Sequence, residues 1–325
     1  MFSFLKKRIY PIGVDISDDM IKMVQLANNG KGFSLLAGST KHRRQDVIPR
    51  SSDWQRWAIE AMRDLTTNGG FRGRDIIALI PANEVFIEHI KMPKLKDAGP
   101  NAKKDPSDPD DKLRDAIFSK IKQKLPFQPE DAMIKYIVGE EDNVLVIASE
   151  RTKIDRHLAI YEKANLQIKS IGVWPMALIN TYTTFFGRRK TDIEAIVMLL
   201  EIDANCTNVV ICRHKNLLFA RSIPIGTKQL ETDEAITRLV LELTACKRHF
   251  SSMQREVQIE RLIFLTGQGT ITNVFATIAK QLEMPAQMGN CLAAVEIEDS
   301  CYSQIDRRDC EVNWATAFGL SLSLS

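Results

Sequence analysis

The chain runs Ile12-Gly-Val-Asp-Ile-Ser-Asp-Asp-Met-Ile-Lys-Met-Val-Gln-Leu26 near its start, and this stretch decides how the fold is interpreted. Apolar residues lead into Asp15, a short polar corner follows, and apolar alternation resumes from Ile21. This pattern is typical of two strands joined by a tight turn. It therefore predicts a hairpin with an acid at the end of its first strand.

A second stretch of the same pattern occurs far along the chain, from Met198 to Ile211. Asp15-Ile16-Ser17 aligns with Glu201-Ile202-Asp203, and Lys22 aligns with Asn208. Two similar units so far apart indicate a duplicated α/β core rather than a short-period repeat.

Length and composition are compatible with this interpretation. The 325 residues leave room for two domains with substantial cores, and 44% hydrophobic with 26% charged residues is ordinary for a globular protein. A net charge of +3 is too small to indicate a nucleic-acid partner or binding to an acidic membrane surface. The six cysteines contain no Cys-x-x-Cys pair, so we favour buried free thiols over a metal site or a disulfide. The histidines form no ligand-spaced cluster.

Membrane and targeting signals are weak. No segment approaches the roughly 20 apolar residues of a membrane span. The start of the chain carries Lys6, Lys7 and Arg8 but no long apolar region behind them, so we expect no secretory signal. This short amphipathic start is compatible with membrane contact, although a frayed terminus is the simpler interpretation. We expect a cytoplasmic protein.

The pattern changes between Asn83 and Lys169, where strand, helix, strand, strand and helix follow one another. This order predicts a small α+β subdomain inserted in the first half. Within it, Lys94–Lys112 is rich in proline and in charges of both signs, which predicts a mobile loop.

Several short motifs occur in an order that resembles one protein family. They are Gly13-Val-Asp15-Ile16 with Lys22, Lys91-Met-Pro93, Leu125-Pro-Phe127, Pro175-Met-Ala-Leu178, Arg221-Ser-Ile-Pro-Ile-Gly226, Leu265-Thr-Gly267 and Ala315-Thr-Ala-Phe-Gly-Leu320. The chain resembles the PilM family, the cytoplasmic actin-like components of type IV pilus assembly, within the FtsA/PilM branch of the actin-like ATPases.

The resemblance implies an α/β fold of the actin-like, ribonuclease H-like class. Its duplicated core would form two lobes, with the inserted subdomain in the first and a reduced small subdomain in the second. We predict a first core over 1–82, continued by 169–189 and the C-terminal helix 311–325. The insert would occupy 83–168 and the second core 190–310.

The resemblance also implies a nucleotide site, and its motifs are altered. Ser17 and Asp203 stand at family glycines, Asp18 adds a carboxylate, and Gln268 separates Gly267 from Gly269. The implied nucleotide-binding residues are Asp15, Ser17, Asp18, Lys22, Glu201, Asp203, Asn205, Thr207, Gly267, Gln268 and Gly269. Asp15 and Glu201 would hold magnesium if ATP binds. A carboxylate about 4 Å from a phosphate repels it by roughly 1 to 4 kcal/mol. We therefore expect weak or lost nucleotide binding, and we assign no catalytic residue.

Two functions remain open from the sequence. The first is a scaffold of type IV pilus or type II secretion-like assembly. The family implies that it binds the cytoplasmic N-terminal peptide of a PilN-like inner-membrane protein, and so associates indirectly with the inner membrane beside other assembly components. The second is an active ATP- and Mg2+-dependent actin-like ATPase whose nucleotide state controls such assembly. The sequence does not indicate which residues contact the partner.

Overall fold

The computed structural model describes residues 7–92, 109–139, 142–254, 257–265, 272–297, 305 and 312–323. Three predictions concern residues outside this set: most of the Lys94–Lys112 loop, the Gly267-Gln268-Gly269 turn and most of a predicted loop at 299–309. The helix that follows the first of these begins at Pro109, so the loop prediction was wrong for its last residues. Proline suits a first helical position because the N–H group that it lacks would be unpaired there.

The described residues form the following strands and helices. The strands are β1 (Arg8–Ile16), β2 (Met20–Asn28), β3 (Phe33–His42), β4 (Asp75–Leu79), β5 (Phe86–Lys91), β6 (Ala132–Val138), β7 (Asn143–Glu150), β8 (Gln167–Gly172), β9 (Ile196–Ile202), β10 (Thr207–Arg213), β11 (Asn216–Ile223), β12 (Arg261–Phe264), β13 (Ala286–Met288) and β14 (Glu296–Ile297). The helices are α1 (Ser52–Asn68), α2 (Pro109–Ile121), α3 (Arg151–Lys163), α4 (Trp174–Thr181), α5 (Lys190–Glu194), α6 (Asp233–Met253), α7 (Thr272–Gln281) and α8 (Ala315–Ser321). No helix among these residues is long and apolar enough to cross a bilayer.

Two sheets repeat one topology. The first has the order β14-β3-β2-β1-β4-β8 and the second β11-β10-β9-β12-β13. In each, three antiparallel strands are followed by two strands parallel to the first of them. Apart from the short β14, the strand order is the same. The duplicated core predicted from the two hairpins is therefore confirmed.

Helix α1 covers one face of the first sheet. Its apolar residues recur at helical spacing, and Trp54, Trp57, Ala58, Ala61, Met62 and Leu65 are buried. They pack against Ile12, Val14 and Ile16 of β1, which explains why this strand is apolar along its length. Both tryptophans therefore belong to the core, as their spacing predicts.

Helix α8 packs against β1 and against α4. Ser321 donates a hydrogen bond to the carbonyl oxygen of Pro11, and Thr181 donates one to that of Ala315. Gly319 makes the helix contact close, because a Cβ there would lie 1.8 Å from the carbonyl oxygen of Ala177. The C-terminal helix thus packs on a strand of the first sheet and on α4.

The second sheet is covered by α6 and α7. Leu239, Leu243 and Phe250 of α6 are fully buried against β9–β12. The helix begins after Thr232, whose side chain accepts a hydrogen bond from the N–H of Ala235. Such a cap satisfies one of the unpaired donors at a helix start.

The chain divides into two compact units, of which the smaller spans Asn83–Asp155 and the larger contains both sheets above. The smaller unit has an antiparallel sheet of order β5-β7-β6, packed on α2 through Ile117 and Ile121. Its C-terminal end comes earlier than the predicted 168, because Ile160, Tyr161 and Leu166 pack in the core around Trp54. That the segments predicted from the sequence are separate folding domains stays a prediction.

Candidate functional site

The two aligned hairpins place equivalent residues opposite each other. Asp15 on β1 lies across from Lys22 on β2, and Glu201 on β9 lies across from Asn208 on β10. Lys22 and Asn208, which align in the sequence, therefore occupy equivalent positions in the two hairpins. Each hairpin points its acid and the facing polar residue towards the region where the lobes meet.

The first turn (Ser17–Asp19) is closed by hydrogen bonds of Ser17. Ser17 donates hydrogen bonds from its N–H and its hydroxyl to the carbonyl oxygen of Met20, at 2.9 and 3.1 Å. Its Oγ also accepts from the N–H of Met20 at 3.1 Å. The polar groups of Ser17 thus serve the turn itself.

The second turn (Asp203–Cys206) packs tightly against the backbone at Gly226. The carbonyl oxygen of Asp203 accepts a hydrogen bond from the N–H of Thr227 at 2.9 Å. A Cβ on Gly226 would lie 2.4 Å from that oxygen, so glycine is required by the close approach. Thr207, which follows the turn, is fully buried and donates to the carbonyl oxygen of Ile225 at 2.6 Å.

Lys22 forms the centre of a buried cluster of charges. Its Nζ lies 2.8 Å from Oδ2 of Asp15 and 4.0 Å from Oδ1 of Asp203, and only 1% of its side chain is exposed. Burial disfavours the charged ammonium, but the carboxylates of Asp15, Asp203 and Glu201 outweigh it and raise the pKa of Lys22. Lys22 is therefore charged at neutral pH.

Glu201 is held by two hydrogen bonds within the chain. Its Oε1 accepts from the hydroxyl of Thr316 at 2.5 Å, and its Oε2 accepts from the side-chain amide of Asn208 at 2.9 Å. Burial raises the pKa of Glu201 to about 7, although Lys22 acts in the opposite direction. Burial therefore favours the protonated form of this carboxyl group over a wider pH range than in an exposed glutamate.

Asp19 links the two lobes directly. Its Oδ1 accepts from Nη2 of Arg43 at 2.9 Å, while its Oδ2 accepts from Nδ2 of Asn205 at 2.7 Å and from Nζ of Lys228 at 2.5 Å. Burial opposes ionisation, but these donors outweigh it and lower the pKa of Asp19 to about 2. Asp19 is therefore ionised at neutral pH and connects the first turn to the second.

The structure brings together only part of the predicted set. Asp15, Lys22, Glu201 and Asp203 form one cluster, whereas Asn205 bonds to Asp19. Asp18 instead pairs with Arg50 at 2.6 Å. Gly267, Gln268 and Gly269 lie outside the described residues.

Sequence reasoning did not assign Asp19, Lys228 or Arg43 to the site. Asp19 was visible as an added carboxylate in the first turn, and Lys228 follows the glycine at the second. Nothing in their spacing indicates that they meet.

These contacts do not fit a magnesium–triphosphate group. Oδ2 of Asp15 bonds Lys22, and both oxygens of Glu201 already accept hydrogen bonds. The side chains of Asn205 and Lys228 donate to the carboxylate of Asp19. A phosphate placed there would meet a carboxylate at close range, at a cost of roughly 4 kcal/mol at an effective dielectric constant of 20.

A family model described as type IV pilus assembly protein PilM matches residues 13–239 of the chain. The chain belongs to this family. No match was found among the curated proteins.

One solved structure shares the fold of this PilM-family chain, and two others are more distantly similar. The structure of a PilM-PilN type IV pilus biogenesis complex is 16% identical, with a TM-score of 0.75, and the match covers 96% of this chain and 98% of that one. A protein of actin-like ATPase fold and unknown function from Bacteroides thetaiotaomicron is 10% identical, with coverages of 91% and 96% and a TM-score of 0.48. The cytoplasmic domain of EpsL, an inner-membrane component of the type II secretion system of Vibrio cholerae, is 11% identical, with coverages of 85% and 95% and a TM-score of 0.46. The first of these matches, with its TM-score of 0.75, confirms the predicted PilM-type fold.

Proposed function

We propose that this PilM-family chain acts in type IV pilus assembly as a scaffold that does not require nucleotide. Its partner would be the cytoplasmic N-terminal segment of a PilN-like inner-membrane protein. The chain would then lie in the cytoplasm, held at the inner membrane by that partner. Other assembly components would bind the same scaffold.

The contacts of Asp19 support the proposal that the scaffold does not require nucleotide. This side chain joins the first turn to Asn205 and Lys228, the side of the site where phosphates would be bound. An interaction between the lobes that is made by the chain itself would hold them together without ATP. The altered glycines at Ser17 and Asp203 support the same view.

The partner part rests on similarity across nearly the whole chain. The solved relative that covers 96% of this chain is described as a complex of PilM with PilN. A scaffold needs only its binding surface and a stable fold, and both lobes here have extensive buried cores. This supports a PilN-like protein as the partner to test.

A second candidate function is that of an active ATPase whose nucleotide state controls assembly. Asp15, Lys22 and Glu201, which the family resemblance assigns to the nucleotide and its magnesium, are retained on the aligned hairpins. For this function Lys22 would have to leave Asp15 and bind phosphate.

One titration distinguishes the two candidate functions. The N-terminal peptide of the PilN-like protein from the same organism is added to the full chain in a calorimeter, with and without ATP and magnesium. We expect the same affinity in both conditions and none for a peptide of scrambled sequence. Binding only with ATP would favour the ATPase, and absence of binding in both conditions would contradict the scaffold.

A further inference from the structure

A basic surface lies at the end of the first sheet remote from the first turn. Two cavities of about 530 and 550 Å3 adjoin there and share Gly73 and Arg74. Their cationic lining residues are Arg63, Arg72, Arg74 and Lys169. They come from α1, from the loop before β4 and from β8, so the fold itself brings the charges together. We call these four residues the basic face.

The charge of the basic face is only partly neutralised. Asp75 is the one acid in the described lining of the two cavities, and it pairs with Lys169 at 3.2 Å. Arg63 and Arg74 donate instead to the backbone carbonyl oxygens of Lys163 and Asn165. A neutral carbonyl holds a guanidinium in place without cancelling its charge.

The loop that carries Arg72 is fixed from beneath by a buried side chain. Gln25 is 2% exposed, accepts from the N–H of Arg72 at 2.7 Å and donates to its carbonyl oxygen at 2.8 Å. The same amide donates to the carbonyl oxygen of Tyr10 at 3.1 Å. The backbone of Arg72 is thus held rigidly while its side chain is exposed.

Apolar surface and a further cation lie beside the basic face. Ile9, in the lining of the larger cavity, is 41% exposed. Arg8 is exposed and lies over the ring of Tyr10 at 4.8 Å. Exposed cations next to an exposed aliphatic side chain suit an anionic lipid surface, where headgroups attract the charges and the interface accepts the apolar group.

We propose that the basic face docks on anionic phospholipid headgroups of a membrane surface. The net charge of +3 does not reveal the basic face, because acidic residues elsewhere in the chain offset its positive charge. The contact requires neither nucleotide nor a PilN-like partner. The lipid contact would orient the chain on the membrane, while the proposed PilN-like partner tethers it through one short segment.

The test is flotation of the full chain with vesicles, without a protein partner. Wild type should float with mixed phosphatidylglycerol–phosphatidylcholine vesicles and remain behind with phosphatidylcholine alone. Because each basic residue near an anionic surface contributes on the order of 1 kcal/mol, R72Q/R74Q should lower partitioning by about tenfold or more. High salt should also release the protein.

A matched control removes two charges from the other lobe. Lys215 and Arg248 are both exposed, so K215Q/R248Q changes the net charge equally and should float like wild type. Circular dichroism checks that both variants fold. Equal loss in the two variants, or no preference of wild type for anionic vesicles, would overturn the proposal. Binding of poly-glutamate in the absence of vesicle binding would assign the face to an acidic protein instead.

Discussion

Replacing Asp19 by asparagine tests the link between the lobes. The change keeps the size of the side chain but removes the charge that binds Arg43, Asn205 and Lys228. Asp18→Asn is the matched control, because the neighbouring carboxylate pairs with Arg50 of the same lobe. We expect Asp19→Asn to destabilise the larger unit more than the control does.

The expected magnitude follows from the pKa of Asp19. Lowering from 3.8 to about 2 corresponds to about 2.4 kcal/mol of preferential stabilisation of the charged form. Solvent screens this partly exposed group, so we expect about 1 kcal/mol. Since the folded pKa is lowered, this stability is present above pH 3.8 and is lost as the pH falls through 2.

Urea unfolding followed by tryptophan fluorescence measures the effect. The tryptophans, at positions 54, 57, 174 and 314, all belong to the larger unit, so their signal reports its unfolding. Asp19→Asn should lower the free energy of unfolding at pH 7 by about 1 kcal/mol relative to Asp18→Asn, and a cycle with Lys228→Gln should give a coupling of about 0.5 kcal/mol or more. Equal losses in the two variants, together with additive effects in the cycle, would refute the interlobe link.

Two further predictions concern Glu201 and Gly226. Because the folded pKa of Glu201 is raised from 4.5 to about 7, its contribution to stability is present below pH 4.5 and is lost as the pH rises through 7. The free energy of unfolding should therefore decline between those pH values, and Glu201→Gln should remove up to about 3 kcal/mol of that decline. Urea unfolding across the pH range measures the effect. An unchanged dependence of stability on pH would argue against a raised pKa. Gly226→Ala should cost about 1–3 kcal/mol because its Cβ would lie 2.4 Å from the carbonyl oxygen of Asp203, whereas Gly32→Ala, with nothing within 4 Å, should be nearly neutral in the same assay. Similar losses for both alanines would contradict the close-approach argument.

The hairpins were predictable because their information is local. Alternation in strands has a period of two, so the positions of Asp15 and Lys22 relative to the turn determine that they face each other. The same rule pairs Glu201 with Asn208. The duplicated topology then follows, since both copies continue into strands parallel to the first.

The contacts across the lobes were not predictable in this way. Asp19 and Lys228 are separated by 209 positions, and neither belongs to a periodic pattern that identifies its partner. The end of the insert shows the same limit. Periodicity identifies α3 as a helix, but it does not say which core will receive Ile160 and Tyr161.

The charged groups of the site bond mainly to one another, which supports the proposal that this PilM-family chain does not require nucleotide. The ammonium of Lys22 lies among the carboxyl groups of Asp15, Glu201 and Asp203 and offsets part of their negative charge. Asp19 in turn accepts hydrogen bonds from Arg43, Asn205 and Lys228 and offsets part of the positive charge of the two cations. Bound magnesium and phosphate would have to displace these charged side chains. The side chains are already held in place by the fold and so lose no translational entropy, whereas a ligand does. We therefore expect magnesium and phosphate to add little to the stability of this arrangement.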